Sequence, residues 1–344
     1  MRRVLFGLPG FGLLVGAVIL APFIVSDYRA YELAKVGVYF IALLGLNMLT
    51  GWNGQISLGH GAFMAIGGYT SGILIANHGM KDLWTIPIAG LVAGAAGFLV
   101  GVPALRLSGL YLALVTFGIA VSFPQLPKKF THFSGGSTGL QFFGLPNSTG
   151  GVAGVHVFGH HLSANRWFYA LTWSIALVLF VAAWALLRGR VGRAWRAIRD
   201  SEVAAASNGI GLARYKTAAF AVSAFYAGVA GSLFAILVGF ASPDTFPIAL
   251  SITLVVGLVV GGLESLTGLV VGAAFIQYLG PIAQALLRAA DWGTPLNLDP
   301  KRPGVPTLVA GALIVLVMIL LPTGAGGLVK RLFEPLTSRL YTRS

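Results

Sequence analysis

Ser57 and His60 stand three residues apart in the run Gly51-Trp-Asn-Gly-Gln-Ile-Ser57-Leu-Gly-His60-Gly-Ala-Phe63. On a helix that spacing puts a hydroxyl and an imidazole on one face. Such a pair could begin a hydrolase centre, but the imidazole then needs an acid to orient it. No Asp or Glu is nearby, so no catalytic residue is expected. Asn53 and Gln55 share the run, which enters a hydrophobic stretch. Polar side chains at that depth are costly unless they pair or face water. Asn53, Gln55, Ser57 and His60 therefore read as helix contacts and caps or as the lining of a polar pathway. Other chemistry is bounded by absence. The chain has no cysteine, which excludes disulfides, thiolate catalysis and Cys-ligated metal, and no metal ligands or resident cofactors are expected. No lysine follows a glycine, so the phosphate-cradling G-x-x-x-x-G-K-[ST] loop is missing.

The elements that position these residues belong to a membrane protein. Of 344 residues, 56% are hydrophobic and 10% charged, and the mean hydropathy is +0.84. A soluble domain is typically about 25% charged, so a chain this poor in charge suits lipid rather than water. The expected fold is all-α: a polytopic bundle of about ten transmembrane helices (eight to ten). The candidates are residues 4–25, 36–50, 56–76, 84–105, 110–126, 167–187, 217–240, 248–260, 268–287 and 307–321. Segments 36–50, 248–260 and 307–321 are short for a full crossing and read as tilted, broken or re-entrant. Glycine pairs Gly90/Gly94, Gly97/Gly101, Gly257/Gly261 and Gly268/Gly272 have the spacing of close helix packing. Within the spans as bounded, His60 is the one ionisable side chain away from the ends, which argues against proton coupling and voltage sensing.

Charge sets the orientation. The net charge of +13 is read as cytoplasmic Lys and Arg rather than as nucleic-acid binding. With ten spans, cytoplasmic N- and C-termini put 14 of the 23 Lys and Arg inside. Residues 1–344 form a single membrane domain. Loop 127–166 is then external, and the basic loop 188–216 is cytoplasmic. In the latter, Ser201 suits an N-cap, Glu202 the first helical turn, and Gly209 a left-handed end. A helix so short is unstable alone, and it needs something to dock on. Energy would come from another protein, unless the chain is a stand-alone passive channel or sodium-coupled carrier.

Several motifs carry a family likeness. Gly45-Leu-Asn-Met-Leu-Thr-Gly-Trp-Asn-Gly-Gln-Ile-Ser-Leu-Gly-His-Gly-Ala-Phe63, Gly109-Leu-Tyr-Leu-Ala-Leu-Val-Thr-Phe117 and Gly189-Arg-Val-Gly-Arg-Ala-Trp-Arg-Ala-Ile-Arg-Asp-Ser-Glu202 lie in order. Tyr215-Lys-Thr-Ala-Ala-Phe-Ala-Val-Ser-Ala-Phe-Tyr-Ala-Gly-Val-Ala-Gly231, Ser242-Pro-Asp-Thr-Phe246 and Val256-Gly-Leu-Val-Val-Gly-Gly262 follow. Together they resemble the M-type permease subunit of branched-chain amino acid ABC importers. The resemblance implies import of branched-chain or related hydrophobic amino acids across a bacterial inner (plasma) membrane. It implies a second, H-type permease, two cytoplasmic ATPases that use ATP and Mg, and an external solute-binding protein. Urea or short amides are alternative cargo within the same family. The resemblance makes 188–216 the ATPase-coupling loop, with Arg199, Asp200, Glu202, Ala205, Gly209 and Arg214 as its candidate residues. Two features depart from the pattern. The usual docking loop has its glycine six residues after the glutamate, whereas Glu202 and Gly209 are seven apart. Glu264 stands where the family usually has a small residue, in a turn expected to be cytoplasmic, and a solvated side chain is its plain reading.

Overall fold

The computed structural model describes residues 26–107, 109–142, 155–157, 160–289, 304–320 and 324. The first candidate span, 4–25, and the C-terminal residues beyond 324 lie outside these. Helix α1 (Asp27–Leu46) runs on without a break into a wider π-helical turn, Asn47–Trp52. It is followed by α2 (His60–His78), α3 (Asp82–Ala104), α4 (Gly109–Ser122) and two short helices, α5 (Gln125–Lys129) and α6 (Thr131–Ser134). Strands β1 (Leu140–Gln141), β2 (Val155–Val157) and β3 (His160–Leu162) precede α7 (Ala164–Arg188), α8 (Arg190–Asp200), α9 (Glu202–Ser207) and α10 (Leu212–Val238). Strand β4 (Phe240–Ala241) leads into α11 (Ile248–Gly261), α12 (Leu269–Ala289) and α13 (Val305–Leu320). Among the described residues the fold is a helical bundle whose strands are only two or three residues long.

Among the described residues, seven helical stretches are long and apolar enough to cross a membrane. They match seven of the ten sequence candidates. Candidate 307–321 contains a shorter apolar helix, Leu308–Val317. Candidate 56–76 becomes α2, which is too polar to be among the seven. The reason is its place: most of its residues are buried, and it packs against α10 and α3 rather than facing outward. A helix surrounded by protein has no need of a lipid-soluble surface. Candidate 36–50 is longer than its apolar core, because the helix starts at Asp27. That brings Glu32 and Lys35 into a helical span, against the expectation that the spans are free of such residues. They are accommodated by pairing: Lys35 Nζ lies 3.4 Å from Glu32 Oε1, and Gln277 Nε2 donates to Glu32 Oε2.

Helices α1 and α10 form the centre, and the outer helices turn apolar side chains outward. Leu99, Leu110 and Val178 are 70%, 73% and 67% exposed. In lipid, burying a leucine gains no transfer energy, so close packing must hold helices together. The glycines supply it. A methyl group on Gly97 would run into Ala224 and the Phe220 carbonyl, and one on Gly231 into the Met64 backbone. Gly257 and Gly272 meet in the same way between α11 and α12.

The connections gather at two ends. At one, Arg199 reaches the Gly51 carbonyl and Glu264. At the other, β1 pairs antiparallel with β4, Leu140 opposite Ala241, and Asn77 Nδ2 donates to the Phe133 carbonyl at 3.2 Å.

Candidate functional site

The candidate pathway residues lie on a non-helical stretch between the π-turn and α2. The chain leaves the π-turn at Asn53, and Gly54 adopts a φ of 77° that favours glycine. It then runs without regular secondary structure to Gly59. Asn53 Nδ2 donates to Gln55 Oε1 at 2.5 Å. Thr50 Oγ1 donates to the Gln55 carbonyl at 3.1 Å. Leu58 N donates to Thr116 Oγ1 at 3.0 Å, and Gly61 N to Ser251 Oγ at 3.0 Å. A hydroxyl from α4 thus holds the approach to α2, and one from α11 caps an amide of its first turn. Irregular backbone is tolerated at membrane depth where protein or a polar cavity surrounds it.

His60 heads α2, and its Nε2 lies 2.9 Å from the Ala42 carbonyl. A carbonyl can only accept, so Nε2 carries the proton, and in the neutral ring Nδ1 is left as an acceptor. Ser57 is not on the helix with His60. Its Oγ turns back to accept from Gly59 N at 3.3 Å, so the shared helical face read from their spacing is replaced by a bend at Leu58. Asn53, Gln55, Ser57 and His60 are all buried. Among the described residues, Asn53 Oδ1, Gln55 Nε2, His60 Nδ1, Asn47 Nδ2 and Ser223 Oγ are buried polar atoms without a hydrogen-bond partner. Each such atom is normally satisfied. Their concentration around one backbone break marks it as a polar station within an apolar bundle.

The basic segment folds as its local signals direct. Ser201 Oγ accepts from Ala204 N at 3.2 Å as the N-cap of α9. Gly209 ends the turn with φ 79°. Before it, α8 is amphipathic. Trp195 is fully buried and donates from Nε1 to the Tyr215 carbonyl at 2.9 Å, whereas Arg190, Arg193, Arg196 and Arg199 are exposed at every third position. Ala205 is buried, and Asp200, Val203, Gly209 and Arg214 are exposed, with Val203 79% open. Glu202 Oε2 pairs with Lys216 Nζ at 2.6 Å.

Arg199 does more than sit in an exposed stripe. Its Nη1 donates to the Gly51 carbonyl at 2.5 Å and ion-pairs with Glu264. The reading of Glu264 as a solvated side chain is thereby corrected. Glu264 has φ 63°, a left-handed conformation that costs a non-glycine residue roughly 1–2 kcal/mol. Its N–H donates to Asn47 Oδ1 at 3.1 Å. Asn47, Thr116, Ser251 and Ser223 were not singled out in the sequence. For Thr116 and Ser223, the available signal was a small hydroxyl side chain among mostly apolar neighbours in a quoted motif. Among the described residues, no group of three or more His, Cys, Asp or Glu could hold a metal ion.

A helical bundle with a polar break at its centre and an exposed, capped helix at one end has the features of a transport subunit. Residues 29–321 match the family described as branched-chain amino acid transport system, permease component. The chain is 36% identical over 330 residues to the high-affinity branched-chain amino acid transport system permease protein LivM of Escherichia coli (strain K12), a match covering 90% of this chain and 73% of that protein. It is 37% identical over 319 residues to LivM of Salmonella typhimurium, covering 88% and 71%. To LivH of Salmonella typhimurium, a permease protein of the same transport system, it is 26% identical over 298 residues, covering 84% and 91%. The chain belongs to this family of permease components and is a multi-pass membrane protein. No solved structure matches it.

Proposed function

We propose that this chain is an M-type permease subunit of an ATP-driven importer for branched-chain or related hydrophobic amino acids in a bacterial inner membrane. Loop 188–216 faces the cytoplasm together with both termini, and 127–166 faces outward. ATP and Mg act on two partner ATPases, not on this chain. A second permease and an external binding protein complete the assembly. The similarity to both LivM and LivH supports a pair of related permeases built on one plan.

The observation that carries this reading is α9. It is capped, ends at a left-handed glycine, projects Val203 outward, and joins the bundle through Glu202–Lys216 and Ala205. A six-residue helix has no stability of its own in water, so an exposed one suits a docking knob. ATP-driven closure of the ATPase dimer then moves α8 and α9 against the bundle, and the break at Asn53–His60 opens to the cargo. An apolar lining would suit leucine-like side chains, since one buried CH₂ is worth about 0.8 kcal/mol.

The test replaces Glu202 with Ala and Gly209 with Val. Because Glu202 pairs with the buried Lys216 and Gly209 holds φ 79°, a melting curve of each detergent-solubilised variant, expected within a few degrees of the parent's, separates lost docking from lost folding. Recovery of the ATPases with the tagged chain should fall about tenfold, and ATP-driven uptake into vesicles with it. Unchanged docking and uptake, or uptake by this chain alone without ATPase, would overturn the proposal.

A further inference from the structure

We infer that Arg199 and Glu264 form a strut that carries the movement of the docking helices to the polar break, a role that rests on the proposed function. Three stretches far apart in the chain converge on one guanidinium. Arg199 belongs to α8, directly before the docking helix. Its Nη1 holds the carbonyl of Gly51, two residues before the break begins, and the carboxylate of Glu264 in the turn between α11 and α12. Its side-chain stem lies against Gly54, where an added Cβ would come within 2.9 Å of Arg199 Cγ. The Arg196 guanidinium lies over the Trp52 ring at 5.2 Å, a second contact from α8 to the π-turn. The ring closes through Asn47, whose Oδ1 accepts the Glu264 N–H at 3.1 Å. Displacement of α8 therefore pulls on both sides of the entrance to the break: on the π-turn, and on the hairpin whose helix α11 caps α2 through Ser251.

Backbone conformation argues that the Glu264 carboxylate is there for its charge. Among the described residues, Glu264 is the one non-glycine with positive φ. Glycine is the residue this conformation favours, and Gly262 already supplies one in the same turn. Strain held at one residue points to a use for its side chain. Fold stability is a poor candidate for that use. The pair is 35% and 41% exposed, and ion pairs so open to solvent add little to stability. A contact that is weak as a staple, yet sits between the docking helix and the pathway, serves as a positioning pair.

The experiment uses the complete transporter, purified with its partner chains and reconstituted in liposomes. Glu264→Gly removes the carboxylate while suiting φ 63°, Glu264→Gln keeps the shape without charge, and Glu264→Asp keeps the charge. The Gly and Gln variants should assemble, melt within a few degrees of the parent, and hydrolyse ATP within about twofold of its rate. They should move about tenfold less amino acid per ATP, and the Asp variant should recover much of that loss. Equal transport per ATP in parent and variants would overturn the strut. Loss of the ATPases from the Gly and Gln complexes, or failure of both chains to accumulate, would overturn it too, by showing a structural contact instead. A parent complex that neither hydrolyses ATP nor moves amino acid would defeat the proposed function itself, and is thereby distinguishable from failure of the strut alone.

Discussion

The two hydroxyls that cap the start of α2 carry a burden out of proportion to their size. Thr116 Oγ1 accepts from Leu58 N, and Ser251 Oγ accepts from Gly61 N. Both hydroxyl-bearing residues are buried, so no water stands ready to replace them. Removing a hydroxyl and leaving a buried partner unsatisfied costs about 1–3 kcal/mol, and the half-buried Leu58 N falls toward the lower end of that range. Thr116→Val and Ser251→Ala should therefore each lower the unfolding temperature of the detergent-solubilised protein by several degrees. A melting curve superimposable on the parent's would refute the capping role. These partners were not legible in the sequence because they come from 58 and 190 residues away. What was legible was local: the Ser201 cap, Glu202 behind it and the left-handed Gly209 all lie within nine residues and stand as expected. The misreading of Ser57 has a comparable cause. Helical spacing was applied across a run containing Gly54 and Gly59, where the backbone is not helical.

At the scale of elements, the bundle is organised by where side chains are missing. Helix α10 meets α2 and α3 through glycines, including Gly228 against Gly67 and Gly90, and Gly231 against the Met64 backbone. In lipid such contacts replace the hydrophobic drive, so bulk inserted there separates the helices instead of filling a gap. Overpacking of a core position typically costs 1–3 kcal/mol, and here the obstruction is backbone, which cannot rotate away. Gly231→Val should reduce the folded protein recovered from membranes by well over half. Gly118→Val, at a position open around its Cβ, should leave recovery near the parent's. Equal recovery of the two would contradict the packing argument. The spacing of Gly90, Gly94, Gly97 and Gly101 disclosed that α3 packs closely on something. That the something is α10, more than a hundred residues on, required the fold. Hydropathy located most spans but understated α1, because the charges at its outer turns were taken as a loop.

For the whole molecule, the strongest expectation is sidedness. The chain has no cysteine, so introduced thiols report without background. Val203→Cys lies in the exposed helix α9 and Lys128→Cys in α5 at the opposite end. A membrane-impermeant maleimide added to intact cells stripped of outer barriers should label Lys128→Cys alone. Inverted vesicles should reverse the pattern. Labelling of Val203→Cys from outside would turn the molecule over and remove the basis for an ATPase contact.

Helix α10 is unbroken from Leu212 to Val238, 27 residues, which makes a rod of about 40 Å at 1.5 Å per residue. Its foot is tied to α9 through Lys216 and Glu202, and its head continues into the strand pair with Leu140. For a rod of that length, a pivot of about 5° at the foot sweeps the head through about 3.5 Å. Under the proposed function the two faces of the membrane would be connected by this one lever, and an event on either side would displace the surface presented on the other.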